Sequence, residues 1–531
     1  MKINKFTSLF ATCLLMGLTA CSNDNVSDAD YSNSAKDKDL TGKTSFSITS
    51  EAKTRTSGVY NSGVDFYWTP SDNIWVKSGS ATSPTLTASS SNNITSTTAS
   101  AKFYFDGTYT AASYPVRYTG NASTSGNTVT IATSQNQDEA NNATQLGTVG
   151  DCGVGTATRQ TDGSYKFTLS HKASYITFMP YYSKEELDAS AVVTQIEVEV
   201  ANGEKLAGTF NFSDSGLGAA NSSSNSVTLT LNGTSSTTGF PIPTTATASK
   251  NAAIMVVAPG TYSTFKVTYT LYDSVTGTNS TISYTYSGIN CTAGKNQVIK
   301  TDLGMATYTS RKTDYYMWDA KSNYWNGYES SQPLLNNAEN TNYAKSSDDT
   351  RWYNTAFTYK VQTKAINSCK DQPTFEALTW YIGAGSPQLD NKTLWVFANH
   401  LYVGGIWLKK QSKISQFSSE ENYQGTNTWI SGGDIKFTVA ISGKPESSVR
   451  SDYFYLPALG QYKDGKLIDL GKKGYYWAST PNPVNNGPES AGYGNVISAN
   501  CLRFGIDAQL NNVYVRNYYE RYVGMQVQKF E

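Results

Sequence analysis

The chain has 531 residues, with 42 Lys and Arg against 42 Asp and Glu, and only 16% of it is charged. Zero net charge without a basic stripe excludes the electrostatic footprint of a nucleic-acid binder. The 37 Tyr and 10 Trp suit half-buried strands and argue against a mostly disordered chain.

Lys2 and Lys5 precede an apolar run over residues 6–17, which ends in Leu18-Thr19-Ala20-Cys21. A positive start, a short apolar run and small residues before a cleavage point make a secretory signal. The run is too short for the roughly 20 apolar residues of a retained span. Leu18-Thr19-Ala20-Cys21 resembles the bacterial lipobox. The resemblance implies that residues 1–21 are a lipoprotein signal peptide and that Cys21 carries the palmitate-type chains of an outer-membrane anchor. Stable anchoring needs at least two chains, each buried CH₂ contributing about 0.8 kcal/mol. Residues 22–43 carry Asp24, Asp28, Asp30, Asp37 and Asp39 and repeat no apolar period, so they read as a flexible linker. Acidic residues just after Cys21 also resemble the surface-export signal of Bacteroidota lipoproteins, although a solvated linker explains them equally well.

From Thr44 the pattern alternates. Ser45-Phe46-Ser47-Ile48-Thr49, Val64-Asp65-Phe66-Tyr67-Trp68, Ala101-Lys102-Phe103-Tyr104-Phe105 and Tyr165-Lys166-Phe167-Thr168-Leu169 are period-two strand signals, punctuated by turns such as Pro70-Ser71-Asp72-Asn73. A second block holds residues 192–200, 209–212, 227–231, 253–257, 265–271 and 281–286. Short strands with frequent turn residues and scarcely any helical period predict two tandem β-sandwiches, over 44–185 and 186–304.

Thr54-Arg55-Thr56, Trp68, Asp72-Asn73-Ile74 and Phe167-x-Leu169-x-His171-x-Ala173 resemble the fimbrillin-like proteins of Bacteroidales. Ile196-x-Val198, Leu206-Ala207-Gly208-Thr209-Phe210 and Ala258-Pro259-Gly260-Thr261-Tyr262 match the later half of that pattern. The resemblance covers about residues 44–304. It implies a type V pilus subunit, delivered as a lipidated precursor, whose N-terminal strand a protease removes and a neighbouring subunit's strand replaces. On that pattern the strand at 44–49 is the removable one and Arg55 the candidate cleavage point, with Lys53 close by. A solvated loop role for Arg55 stays open.

After Gly304 eight of the ten Trp crowd into residues 306–531. Asp371-Gln372-Pro373-Thr374 reads as a helix start, Phe375, Leu378 and Ile382 as its apolar face, and Gly383 as its stop. Strands follow near 394–398, 405–408, 435–440, 453–456, 475–477, 501–504 and 512–515, which predicts an α+β domain. Residues 453–460 (Tyr-Phe-Tyr-Leu-Pro-Ala-Leu-Gly), 474–480 (Gly-Tyr-Tyr-Trp-Ala-Ser-Thr) and 523–527 resemble the C-type-lectin-like major paralogous domain first noted in Fibrobacter. That likeness implies a disulfide between Cys369 and Cys501. It also points to a glycan or host-surface ligand held by Tyr476, Trp477, Asn482, Asn485, Asn486 and Glu489, through stacking and amide hydrogen bonds. The alternative is that Trp477 packs in the core and the loop is plain turn chemistry. The calcium triplets of such lectins are missing, and a hard cation wants 6–8 oxygen ligands, so no metal or cofactor is expected.

Cys152, Cys291, Cys369 and Cys501 form no C-x-x-C pair, and the two histidines, His171 and His400, fall in different predicted domains. A Ser-His-Asp or Cys-His nucleophile would need one of them; both read as structural, and a non-enzymatic protein is expected. The expectation is a surface-exposed fimbrial subunit, assembling with other subunits by strand donation, its C-terminal domain facing outward as a tip adhesin. A tip position follows because the last residues read as part of the lectin-like fold rather than as a donor strand. The alternative is a non-polymerising outer-membrane glycan-binding lipoprotein.

Overall fold

The computed structural model describes residues 40–48, 57–61, 64–80, 83–121, 123–233, 238–358, 361, 363–425, 435–482, 497–506 and 511–531. Cys21, Arg55, Asn485, Asn486 and Glu489 lie outside them. The protein is mainly β. Among the described residues α-helix is confined to Leu146–Val149, Ala248–Asn251 and Phe375–Gly383.

The N-terminal sheet has nine strands. Its order is Ser83–Ala88, Trp75–Ser80, Ser113–Tyr118, Gly153–Arg159, Tyr165–Phe167, Lys43–Ile48, Lys102–Asp106 and Ser91–Asn92, with Leu169–His171 paired to Gly153–Arg159. Alternation sends Phe46, Val76, Phe103, Phe105, Val116, Tyr165 and Phe167 to one side, where they enclose Trp68. Trp68 meets Phe103 and Tyr118 edge-on at 5.1 and 5.6 Å, the geometry that ring quadrupoles favour.

A second core is shared by three sheets. The largest runs Ser134–Gln137, Ser226–Leu231, Ala191–Val200, Gly260–Asp273 and Thr278–Cys291, with Phe240–Pro241 alongside Ala191–Val200. The others are Ala253–Val257, Ser174–Tyr181 and Asn296–Asp302, and Gly216–Ser224, Ala207–Ser213 and Thr128–Ile131. Ala253–Val257 is buried at all five positions, which is why it reads as a continuous apolar run rather than an alternation. Its other edge is closed by side chains. Gln137 accepts from Ile254 N–H at 2.7 Å and donates to the Ala252 carbonyl, and Gln135 exchanges two hydrogen bonds with Val256.

The expected division at 185/186 does not follow these cores. Val64, Phe66, Val129, Ile131, Tyr175 and Phe178 all pack into the second one. Strands of 44–185 therefore serve both bodies, because a strand goes where its apolar side is covered and not where its chain neighbours lie.

In the C-terminal part, Ala306–Thr307, Gln388–Phe397, His400–Lys409 and Tyr453–Pro457 form a four-stranded sheet. A larger one runs Tyr315–Tyr316, Met525–Gln526, Lys473–Pro481, Ser498–Gly505, Asn512–Glu520 and Ile435–Thr438. The helix Phe375–Gly383 is capped by Thr374, whose side chain accepts from Ala377 N–H at 3.1 Å, so Pro373 stands just before the cap rather than inside the first turn. Phe375, Leu378, Tyr381 and Ile382 pack onto Tyr476, Leu502, Phe504, Val513 and Val515 of the larger sheet. It is the one α-helix among the described residues of 306–531, where a fuller α+β mixture is expected from the sequence.

This part does not hang from a linker. Leu394, Val396 and Leu401 belong to the second core. Thr276 and Thr278 both donate to the Leu401 carbonyl, at 2.8 and 2.9 Å, and Thr307 and Thr309 donate to Glu185.

Candidate functional site

The strand Lys43–Ile48 lies inside the nine-stranded sheet, not at its edge. It is antiparallel to Lys102–Asp106, with Phe46 opposite Phe103, and parallel to Tyr165–Phe167, with Phe46 opposite Tyr165. Phe46 is fully buried, stacked on Tyr165 at 4.6 Å and edge-on to Phe105 at 4.9 Å; Ile48 is buried beside Phe167. Thr44 Oγ1 donates to the Gly107 carbonyl at 2.8 Å, and Ser47 Oγ to the Tyr165 carbonyl. All these partners lie more than fifty positions along the chain. The next described strand, Ser57–Tyr60, pairs with Val64–Tyr67 in a different sheet. A cut between 48 and 57 would leave the first strand held by its ladder, the side-chain bonds of Lys43, Thr44 and Ser47, and the burial of Phe46 and Ile48. Each such buried side chain contributes about 1.5–3 kcal/mol. Removing the strand would strip backbone partners from strands on both sides and empty an aromatic slot, which is the form of a groove that accepts a donated strand.

The residues expected to hold a ligand are placed otherwise. Tyr476 and Trp477 are fully buried. Tyr476 donates its hydroxyl to the Pro457 carbonyl at 2.6 Å, and Trp477 Nε1 donates to the Tyr316 carbonyl at 2.8 Å. Neither offers a ring face to solvent: alternation along Lys473–Pro481 puts one against the helix core and the other under Trp318 and Val523. Asn482 is 2% exposed and donates to Ser498 Oγ. These three are core residues, so the expected stacking site is not formed by them.

Cys369 and Cys501 are buried in one cluster with Trp318 and Trp477, as separate thiols and not as a disulfide. Cys369 Sγ accepts from Asp319 N–H at 3.2 Å, and burial pushes its pKa up to about 12. Asp319, which nothing in the sequence singles out, organises this corner. Its carboxylate accepts from Asn354 Nδ2 and from the N–H groups of Ile366, Asn367 and Cys369. Arg521 spreads over the Trp318 ring at 4.2 Å and donates to the Asn354 and Ala356 carbonyls.

Both histidines sit beside aspartates. His171 Nδ1 lies 2.7 Å from Asp151 Oδ1 and 3.0 Å from the Tyr175 hydroxyl, with its ring stacked on Phe66 at 4.1 Å. His400 joins Asp273 and Ser190 at the junction of the second core with the C-terminal part. The trio has the composition of a catalytic triad but not its geometry. Asp273 Oδ2, at 3.1 Å, and Ser190 Oγ, at 3.4 Å, both meet His400 Nδ1, and Ser190 donates directly to Asp273. A triad needs the imidazole to bridge serine and acid through opposite nitrogens. Here the acid also accepts from Leu401 and Val275 N–H and ties three segments together. Burial acts to raise the Asp273 pKa, but the hydrogen bonds from His400, Leu401 and Ser190 outweigh it and hold the carboxyl below its usual range. The hydrogen bond to Asp273 raises that of His400.

No family model matches the chain, and no curated protein matches it. Among solved structures it is similar to a fimbrial assembly protein of Parabacteroides distasonis, at 12% identity and a TM-score of 0.25, over 49% of this chain and 90% of that one. A proposed cell adhesion protein of Bacteroides uniformis gives 14% and 0.29 over 49% and 91%. A fimbrial protein of Bacteroides ovatus gives 12% and 0.24 over 53% of each chain. At this level of likeness none of them decides what the chain does.

Proposed function

We propose that the protein is a cell-surface fimbrial subunit that assembles by strand exchange, with its C-terminal part as an outward adhesin. The observation that carries this is the seat of Lys43–Ile48: an N-terminal strand in mid-sheet, with two buried anchors and sequence-distant partners on both sides. The motifs at Trp68, Asp72-Asn73-Ile74 and Leu206–Phe210 support the same reading through their fimbrillin resemblance. In this account Cys21 is a lipid tether held until a cut near Arg55, and the vacated groove takes a strand from a neighbouring subunit. A C-type-lectin-like character for 306–531 belongs to the proposal too.

A tip position belongs to the same proposal. Phe530 is buried among Tyr381, Phe454 and Tyr476, Gln411 N–H donates to the Glu531 carbonyl, and Lys410 pairs with the Glu531 side chain. They are engaged in the core of their own unit. The rival, a lipoprotein that never polymerises, keeps its first strand for life.

N-terminal sequencing of protein sheared from the cell surface separates the two. Strand exchange expects a start just after Arg55 in assembled material, and a synthetic 43–48 peptide that rebinds the cut form. Assembled fibres that still begin at lipidated Cys21 would sink it.

A further inference from the structure

The strands Lys473–Pro481, Ser498–Gly505 and Asn512–Glu520 lie side by side, and their alternation gives two unlike faces. Tyr476, Leu502, Phe504, Val513 and Val515 enter the helix-covered core. The other face carries Tyr475, Arg503 and Tyr514 as direct cross-strand partners. The Arg503 guanidinium lies 5.4 Å from the Tyr514 ring and 5.9 Å from the Tyr475 ring, and Arg516 lies 5.5 Å from Tyr514. Cation–π attraction at these distances holds the guanidinium against the rings, and Arg503 also shares a hydrogen bond with the Tyr475 side chain.

Arg503 lines a cavity of about 490 Å³, within the roughly 300–1,000 Å³ of small-molecule sites. Lys472 and Lys473 stand on its rim. The carboxylate among its described lining residues, Asp469, is already spent: it accepts from the Tyr475 hydroxyl at 2.7 Å and pairs with Lys473 at 3.1 Å. Among the described residues no carboxylate pairs with Arg503 or with the exposed Lys472. Asn391 and Asn512 add amides, and Val403 and Ile506 an apolar wall. Ile506 is seated directly on Gly404, where an added Cβ would come within 1.7 Å of its Cδ1.

We infer that this cavity binds an acidic saccharide. The Arg503 fork takes a carboxylate or sulfate through paired, charge-assisted hydrogen bonds, and Lys472 adds a second positive charge. The two amides meet ring hydroxyls, and Val403 and Ile506 pack on the C–H face of the sugar. A neutral sugar leaves the guanidinium unmatched, and a bare anion leaves the amides and the apolar wall unused. The assignment rests on the reading of the C-terminal part as the binding part of the protein; it does not depend on strand exchange.

The test is calorimetry or ligand-observed NMR on the full chain at low ionic strength, with glucuronic acid against glucose, galactose 6-sulfate against galactose, and inorganic sulfate alone. At least one acidic sugar binds about tenfold or more tightly than its neutral partner, and which one does so tells carboxylate from sulfate. Arg503→Gln removes that preference while near-UV circular dichroism shows the fold intact. Lys472→Glu, at an exposed position the fold does not use, weakens the acidic sugar by about fivefold or more and leaves the neutral one alone. Equal binding of acid and neutral sugars, no binding by either, sulfate alone as tight as galactose 6-sulfate, or affinity retained in both variants overturns the inference. Adhesion of cells displaying the chain is measured in parallel. Adhesion that persists in Arg503→Gln and under excess acidic sugar overturns the cavity while leaving the adhesin reading standing.

Discussion

Phe46 and Trp477 are both aromatic residues on strands, and they differ in what holds them. Trp477 is enclosed by Trp318, Val523, Met525 and the two thiols, with its indole N–H committed to Tyr316. Trp477→Ala should cost about 3–5 kcal/mol in a denaturant melt, as large-to-small changes in closed cores do. Sugar binding by the protein that remains folded should be unchanged. Phe46→Ala removes a buried aromatic side chain too, but from the strand that the proposed exchange would vacate. It should both destabilise the precursor and weaken rebinding of the 43–48 peptide in the cut form. At Cys369, where burial pushes the thiol up to about 12, a thiol reagent at pH 8 should fail on the native protein and react once the chain is unfolded without reductant. Two thiols missing from the unfolded count would show instead that the bridge to Cys501 forms.

At the scale of elements, the two cores hold a strand in contrasting ways. Ala253–Val257 is sealed by Gln135 and Gln137, whose amides copy a neighbouring strand's backbone. Gln137→Leu leaves Ile254 N–H and the Ala252 carbonyl without that partner inside the protein, and should cost about 1–3 kcal/mol by chemical denaturation. The first strand instead fills its slot with two apolar anchors and no covalent neighbour in the sheet. The contrast fits the proposal that the first strand can be vacated from mid-sheet while the edge at Ala253–Val257 stays shut.

Across the whole molecule, the pair His400 and Asp273 is one of the contacts that join the C-terminal part to the second core. The raised pKa of folded His400 gives a contribution fully present below its ordinary 6.5 and lost as pH rises through the raised value. The lowered pKa of Asp273 gives one present above its ordinary 3.8 and lost as pH falls through the lowered value. Junction stability should therefore be greatest between those limits and decline outside them on either side. Proteolysis at the 398–401 turn, followed against pH, checks this: wild type should be cut faster above neutrality, and His400→Gln should flatten the profile.

Much of this architecture was legible in the chain itself. Period-two alternation or an apolar run marked about half of the described strands, and Phe375, Leu378 and Ile382 marked the buried face of the helix, because burial of one side of an element is written in local spacing. What local spacing cannot carry is partner choice. Ser134–Gln137 and Ser174–Tyr181 crossed the expected boundary because their apolar sides are covered only in the second core. Tyr476 and Trp477 looked like a binding surface because aromatic residues beside an amide-rich loop suit either a core or a ligand; long-range packing against the helix and against Trp318 made them core. Tyr475, Arg503 and Tyr514 stood unnoticed, since residues 28 and 11 positions apart become one cation-lined face only when three strands align. The sequence alone determined which residues must be hidden; the tertiary structure decided what hides them, because the free energy of burial depends on area removed from water and not on which part of the chain removes it.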